Sequence, residues 1–174
     1  MMVFRHVDAR FPFLWEDAAQ PAGRWHGSGE GPVHYFADTP LGAWAELIRH
    51  EEIEEAEDLA GIRRAIWAVD LPGGPFARSE LPEDVLIGGR ETYPECRREA
   101  AKLRARGVTE MRAVSAALLP GGASGWIVDG GLQPGPLQDG EVHVVFGHRP
   151  DLVGWPVTLE GQPPADLLER VRHL

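Results

Sequence analysis

Arg24, Tyr35 and Glu46 fall within one short stretch, GRWHGSGEGPVHYFADTPLGAWAEL, from Gly23 to Leu47. An arginine offers a planar, bidentate fork for phosphate oxygens. An aromatic ring packs on a flat cationic ring. A carboxylate can hydrogen-bond a ribose hydroxyl and stabilise an oxocarbenium-like transition state. Together these residue types match what breaking the N-glycosidic bond of a nicotinamide nucleotide requires. The same residues also admit a purely structural reading, with Arg24 paired to a surface acid, Tyr35 in the core and Glu46 in water.

Other chemistries find less support. There is no G-x-x-x-x-G-K-[ST] and hence no P-loop. Gly27-Ser28-Gly29 supplies G-x-G without the rest of a dinucleotide fingerprint, and it precedes a strand instead of following one. The histidines, among them His26 with His34 and His143 with His148, do not form H-E-x-x-H, and Cys96 has no partner cysteine. They read as surface or core residues, so no metal is expected. Ser115 is not in a G-x-S-x-G elbow. Cys96 lies on an apolar helix stripe, where a thiol is inert.

The elements that must position these residues are legible in part. VFRHV (3–7) predicts a strand, and residues 8–22, with Pro12 and Pro21, a loop. The glycines of 23–31 predict a tight turn, and Val33-His34-Tyr35-Phe36 a strand. Asp38 or Thr39 can cap a helix with Pro40 in its first turn. Leu41, Trp44, Ala45 and Ile48 mark its buried face. Glu46, about 140° from Leu41 at 100° per residue, points away from that face, toward water or a cleft. The acidic run 51–58 reads as a solvated helix end or loop. AIWAVDL (65–71) predicts a strand. Residues 92–107 predict a helix with a Thr92/Glu95 capping box and Gly107 as its stop. Arg104 and Arg106 form a solvated, dipole-matched face. Strands are expected over 113–119, 125–129 and 141–147, with a loop over 130–140. A final amphipathic helix is expected over 164–174. Late strands in succession favour an α+β architecture over a doubly wound sheet.

The chain has 174 residues and a net charge of -10. That length suggests one domain with a real core. So acidic a chain has no general attraction for nucleic-acid phosphates, so direct nucleic-acid binding is not expected. A single cysteine allows no intrachain disulfide. No stretch approaches a membrane span or a signal peptide, so a cytoplasmic, membrane-free protein is expected.

In order, Gly23-Arg24-Trp25, the strand start Pro32-Val33-His34-Tyr35, Ala45-Glu46 at a helix and Val114-Ser115-Ala116 after a helix and Gly107 resemble the RES domain. That family is named for its arginine, glutamate and serine, here Arg24, Glu46 and Ser115. Phe4-Arg5 suits its opening strand, and His26 stands where the family usually has asparagine. The similarity is strongest over 4–147 of a single domain spanning 1–174. The resemblance implies an ADP-ribosyltransferase-like split β-sandwich with flanking helices around an NAD+ cleft. It implies a bacterial toxin that degrades NAD+ as substrate by hydrolysis or phosphorolysis, held by an Xre-type antitoxin. On this view Arg24, Glu46 and Ser115 serve catalysis, and Arg5, Trp25, His26 and Tyr35 bind substrate. Mono-ADP-ribosyl transfer to a protein and a non-catalytic NAD or partner-binding module are the alternatives. Whether the chain forms a homo-oligomer stays open.

Overall fold

The computed structural model describes residues 1–17 and 19–174, so Ala18 in the expected 8–22 loop lies outside the described residues. The elements, in order, are β1 (Met2–Val7), β2 (Val33–Ala37), α1 (Pro40–His50), a short α2 (Ala56–Leu59), β3 (Arg64–Asp70), β4 (Ala77–Arg78), α3 (Glu83–Ile87), α4 (Tyr93–Ala105), β5 (Glu110–Val114), β6 (Trp126–Val128), β7 (Leu132–Pro134), β8 (Glu141–Phe146) and β9 (Val153–Gly161). Single 3-10 segments span Arg90–Thr92 and Ala165–Arg170. Seven strands form one mixed sheet in the order β4-β5-β8-β2-β1-β3-β9, and β6 pairs with β7 in a separate hairpin. This is the α+β class read from the sequence.

The middle of the sheet is where it opens. β1 pairs with β3 along its whole length, and β2 pairs with β8 along its whole length. β1 and β2, however, meet through one register pair among the described residues, Phe4 opposite Ala37. Beyond that pair the two strands part like a fork. The sheet is therefore two halves joined at a single point, in keeping with the split architecture expected.

Both long helices cover the same face. Phe4 and Ala37 point into the cluster built on α1, with Trp44, Leu47, Ile48 and Ile66. Val33 and Tyr35 lie at even spacing from Ala37 on β2, so they point the same way. They meet Cys96, Ala100 and Leu103 of α4. The opposite face is filled by Val3, Phe36, Val69 and Val145 under Phe13, Leu14 and Phe76.

Helix α1 starts as its sequence predicts. Thr39 Oγ1 accepts the Gly42 N–H at 3.0 Å, and Pro40 occupies the first turn. The helix is not simply amphipathic. Gly42 to Ala45 and Leu47 to Arg49 are all buried, so α1 is covered nearly all round. Helix α4 differs from expectation at its start. The Thr92/Glu95 capping box does not form, because Thr92 Oγ1 instead donates to the Gly89 carbonyl at 2.8 Å and closes the 3-10 turn. Arg104 is more than a solvated cation. It pairs with Glu30 at 2.6 Å and, since Glu30 also accepts the Gly27 N–H, it pins the glycine-rich turn to α4.

Other departures lie toward the C-terminus. The strand expected over 113–119 ends at Val114. The expected 130–140 loop contains β7. The expected final helix is a 3-10 segment. The region after Gly147 supplies β9, an edge strand on β3.

Buried histidines are expected to make the fold acid-sensitive. His143 and His34 are fully buried, and neither ring nitrogen of His143 has a hydrogen-bond partner among the described residues. Burial, then the charge of Arg5, pushes His34 down to about 4. Burial and Arg5 push His6 to about 3. These rings stay neutral in the folded chain, while the unfolded chain protonates near 6.5. Their stabilisation is present above that pH and is lost as pH falls toward 4. Glu46 and Asp38, held high by burial, act in the opposite sense. The urea midpoint is expected to fall steadily between pH 6.5 and 5. An unchanged midpoint over that range would contradict the neutral-histidine assignment.

Candidate active site

A cleft of about 840 Å³ opens between α1 and α4, above the fork between β1 and β2. Arg5, Arg24, Trp25, His26, Tyr35 and Glu46, six residues singled out from the sequence, all border it. A smaller hollow of about 540 Å³ lies between the end of α1 and residues 58–64 and contains none of them.

Glu46 reaches the cleft because α1 is wedged between core and cleft, so the one face left uncovered looks into the opening. Ser115 Oγ donates to Glu46 Oε1 at 3.1 Å. That hydroxyl is itself oriented, since it accepts the N–H groups of Ala117 at 3.2 Å and Leu118 at 3.3 Å. With its lone pairs so engaged, its proton is aimed at Glu46. Ser115 is 2% exposed, so it acts on Glu46 from behind. Burial raises the Glu46 carboxyl above its ordinary value, and the Ser115 bond with the charges of Arg24, Arg49 and His50 opposes that rise.

The histidine after G-R-W has a defined place. His26 Nε2 lies 3.0 Å from the Pro21 carbonyl, which can only accept, so Nε2 carries the proton. Nδ1 then accepts from the Tyr35 hydroxyl at 2.8 Å, and that hydroxyl accepts the Trp25 N–H at 3.0 Å. Burial lowers the His26 pKa and raises that of Tyr35, consistent with this neutral chain. The hydroxyl of Tyr35 is thus committed to the protein. Trp25 is 1% exposed, with its indole in the α4 cluster.

Gly23 is required by this packing. A Cβ there would lie 2.6 Å from the Tyr35 oxygen and 2.9 Å from His26 Cε1. Gly23→Ala is expected to cost about 1–3 kcal/mol by overpacking, read as a lower melting temperature. A melting curve identical to wild type would refute the network.

The arginines divide into two groups. Arg24 donates to the carbonyls of Gly88 (2.6 Å) and Val85 (3.3 Å) and to Thr92 Oγ1 (3.2 Å), and its guanidinium lies 4.7 Å from the Tyr93 ring centroid. These bonds hold it in place without a carboxylate partner among the described residues. Arg5 borders the cleft with NH1 unpartnered, and burial lowers its pKa to about 10. Arg49, Arg90 and Arg97 add to the wall, against Glu46 and the rim residue Glu51. Of these five arginines, Arg90 alone pairs with a carboxylate among the described residues, Glu52 at 2.5 Å. An acidic protein thus carries a basic cleft.

The RES domain model matches residues 3–128 of this chain. The chain belongs to the RES domain family. No curated protein matches it. RES domains are known from NAD+-related toxin systems. Arg24, Glu46 and Ser115 come together in this structure, with Ser115 bonded to Glu46 and the charge of Arg24 favouring the ionised carboxylate. The strands after the matched region still build the RES sheet, since β8 pairs with β2 and β9 with β3. Sequence reasoning missed Arg49, Tyr93 and Arg97, which also line the cleft. Tyr93 and Arg97 lie on a helix that reads as core packing and solvated charge. Among the described residues, no group of three or more histidine, cysteine, aspartate or glutamate side chains is placed to hold a metal, and no helix is long and apolar enough to cross a membrane.

Proposed function

We propose that this RES domain binds NAD+ in the cleft and cleaves its N-glycosidic bond. The observation that carries the reading is Glu46, a carboxylate oriented by Ser115 at the base of a cleft whose arginines are mostly unpaired. A dianionic pyrophosphate supplies the charge this wall lacks. Arg5, which borders the cleft and has no carboxylate partner among the described residues, is the pyrophosphate contact, and Arg24 is the fixed cation beside the reacting end. The ring of Tyr35 faces the nicotinamide. His26 and the backbone of Trp25 hold that tyrosine in place.

The chemistry balances simply. The bond from ribose carbon to nicotinamide nitrogen breaks, its electron pair leaves with the ring, and neutral nicotinamide departs. Glu46 accepts a hydrogen bond from the ribose and stabilises the positive charge that develops. Water attacks the same carbon and loses a proton, giving ADP-ribose; inorganic phosphate attacking there gives the 1-phosphate ester. In a toxin of this family an Xre-type antitoxin would cover the cleft and block NAD+.

Incubating the purified protein with NAD+, with and without phosphate, separates these acceptors by product mass. Free ADP-ribose indicates hydrolysis, and a phosphate-dependent ester indicates phosphorolysis. Label from NAD+ retained on protein would replace both with ADP-ribosyl transfer.

A further inference from the structure

Arg49 lies three residues beyond Glu46 on α1 and is 5% exposed. Its NH1 donates to the carbonyls of Ala116 at 2.7 Å and Arg172 at 2.6 Å. Its NH2 donates to those of Ile87 at 3.1 Å and Gly88 at 2.8 Å. One side chain therefore bolts α1 to three segments: the turn after β5, the end of α3 and the C-terminal segment. Two of these bear directly on Glu46. The turn after β5 carries Ser115, and Arg172 NH1 supports the same Ala116 carbonyl at 3.0 Å. The Gly88 carbonyl is shared with Arg24 at 2.6 Å.

The chemistry of these partners matters. Carbonyl oxygens satisfy the donors of a buried guanidinium without neutralising its charge, as a carboxylate would. A planar fork with five donors can serve four carbonyls, and an ammonium with three cannot.

We propose that Arg49 is a positioning residue for Glu46: its four carbonyl bonds clamp the Ser115 turn against α1 and so hold the Ser115 hydroxyl aimed at the carboxylate, while its own charge stays unneutralised. This rests on reading Glu46 as the catalytic carboxylate. The groups acting on Glu46 are Ser115 after β5, Arg24 from the glycine-rich turn, and Arg49 and His50 on its own helix; Arg5 and His6 of β1, Glu51, Arg90, and Tyr93 and Arg97 of α4 line the same cleft. Arg49 alone among them both contributes charge and holds the turn that orients Glu46.

The test uses the full chain with Arg49→Lys and Arg49→Met. Two readouts are taken: kcat and KM for nicotinamide release, and the Glu46 carboxyl titration by carbon-13 NMR, assigned with Glu46→Gln. Arg49→Lys keeps a charge and loses the fork, so kcat is expected to fall about 100-fold, as for a misplaced catalytic group, with KM changed less than about threefold. Arg49→Met is expected to raise the Glu46 titration midpoint by about one pH unit, and Arg49→Lys by less. An unmoved midpoint in Arg49→Met, or an unchanged kcat in Arg49→Lys, overturns the proposal. So does an Arg49→Lys protein that fails to fold, which would make Arg49 a structural bolt alone. If the wild type releases no nicotinamide, the catalytic reading falls, and the Glu46 titration still decides whether Arg49 acts on the carboxylate.

Discussion

Glu46→Gln is expected to lower kcat for nicotinamide release by about 100- to 1,000-fold while the chain stays folded. The substitution keeps shape and removes charge. The Ser115 hydroxyl can still donate to an amide oxygen in place of Oε1, so the hydrogen bond survives. Burial already disfavours the charged carboxylate, so a neutral side chain relieves a cost and stability should hold or rise slightly. NAD+ affinity should change little, because the pyrophosphate contact is assigned to Arg5. A large loss of binding at full stability would move Glu46 from transition-state stabilisation to simple recognition.

Trp25→Ala carries the largest expected effect on stability, about 3–5 kcal/mol. The indole is 1% exposed and packs in the cluster of Cys96, Leu103, Met111 and Val144 that joins α4 to the β2–β8–β5 half of the sheet. Removing it opens a cavity beneath the cleft. In a domain of this size such a loss lowers the melting temperature by roughly 10 °C. It also frees the backbone between Arg24 and His26, so activity should fall with stability. Trp25→Phe should recover most of both. If Trp25→Ala melts within about 2 °C of wild type, the side chain is not the keystone of that cluster.

The sequence was most readable where chemistry is local. Thr39 and Pro40 announced α1, Gly107 ended α4 with φ of 81°, and the strand expected over 141–147 is β8. Glu46 was set off the apolar stripe, toward water or a cleft, and it is the cleft that it borders. What the stripe did not show was that α1 is buried almost all round. That depends on the C-terminal segment folding back onto it, with Leu167 and Val171 joining its cluster.

Longer-range partnerships left no local trace. Thr92 and Glu95 have capping-box spacing, yet Thr92 serves Gly89 and Arg24, and those bonds span distances no window sees. β9 carries Gly154 and Pro156 within its span and turns Val153, Trp155 and Val157 outward, so neither propensity nor an inward apolar pattern marked it. Arg49 was invisible as a functional residue because its partners are four backbone carbonyls. Any sequence supplies those, and only the fold gathers them.

The central claim is that this cleft breaks the bond between nicotinamide and ribose. The most direct measurement is free nicotinamide released from NAD+ by the purified protein, with Glu46→Gln run beside it at matched folded concentration. The account predicts multiple turnovers by the wild type and release at least about 100-fold slower by the variant. NAD+ recovered intact from a folded wild type, or equal release by both proteins, would contradict it.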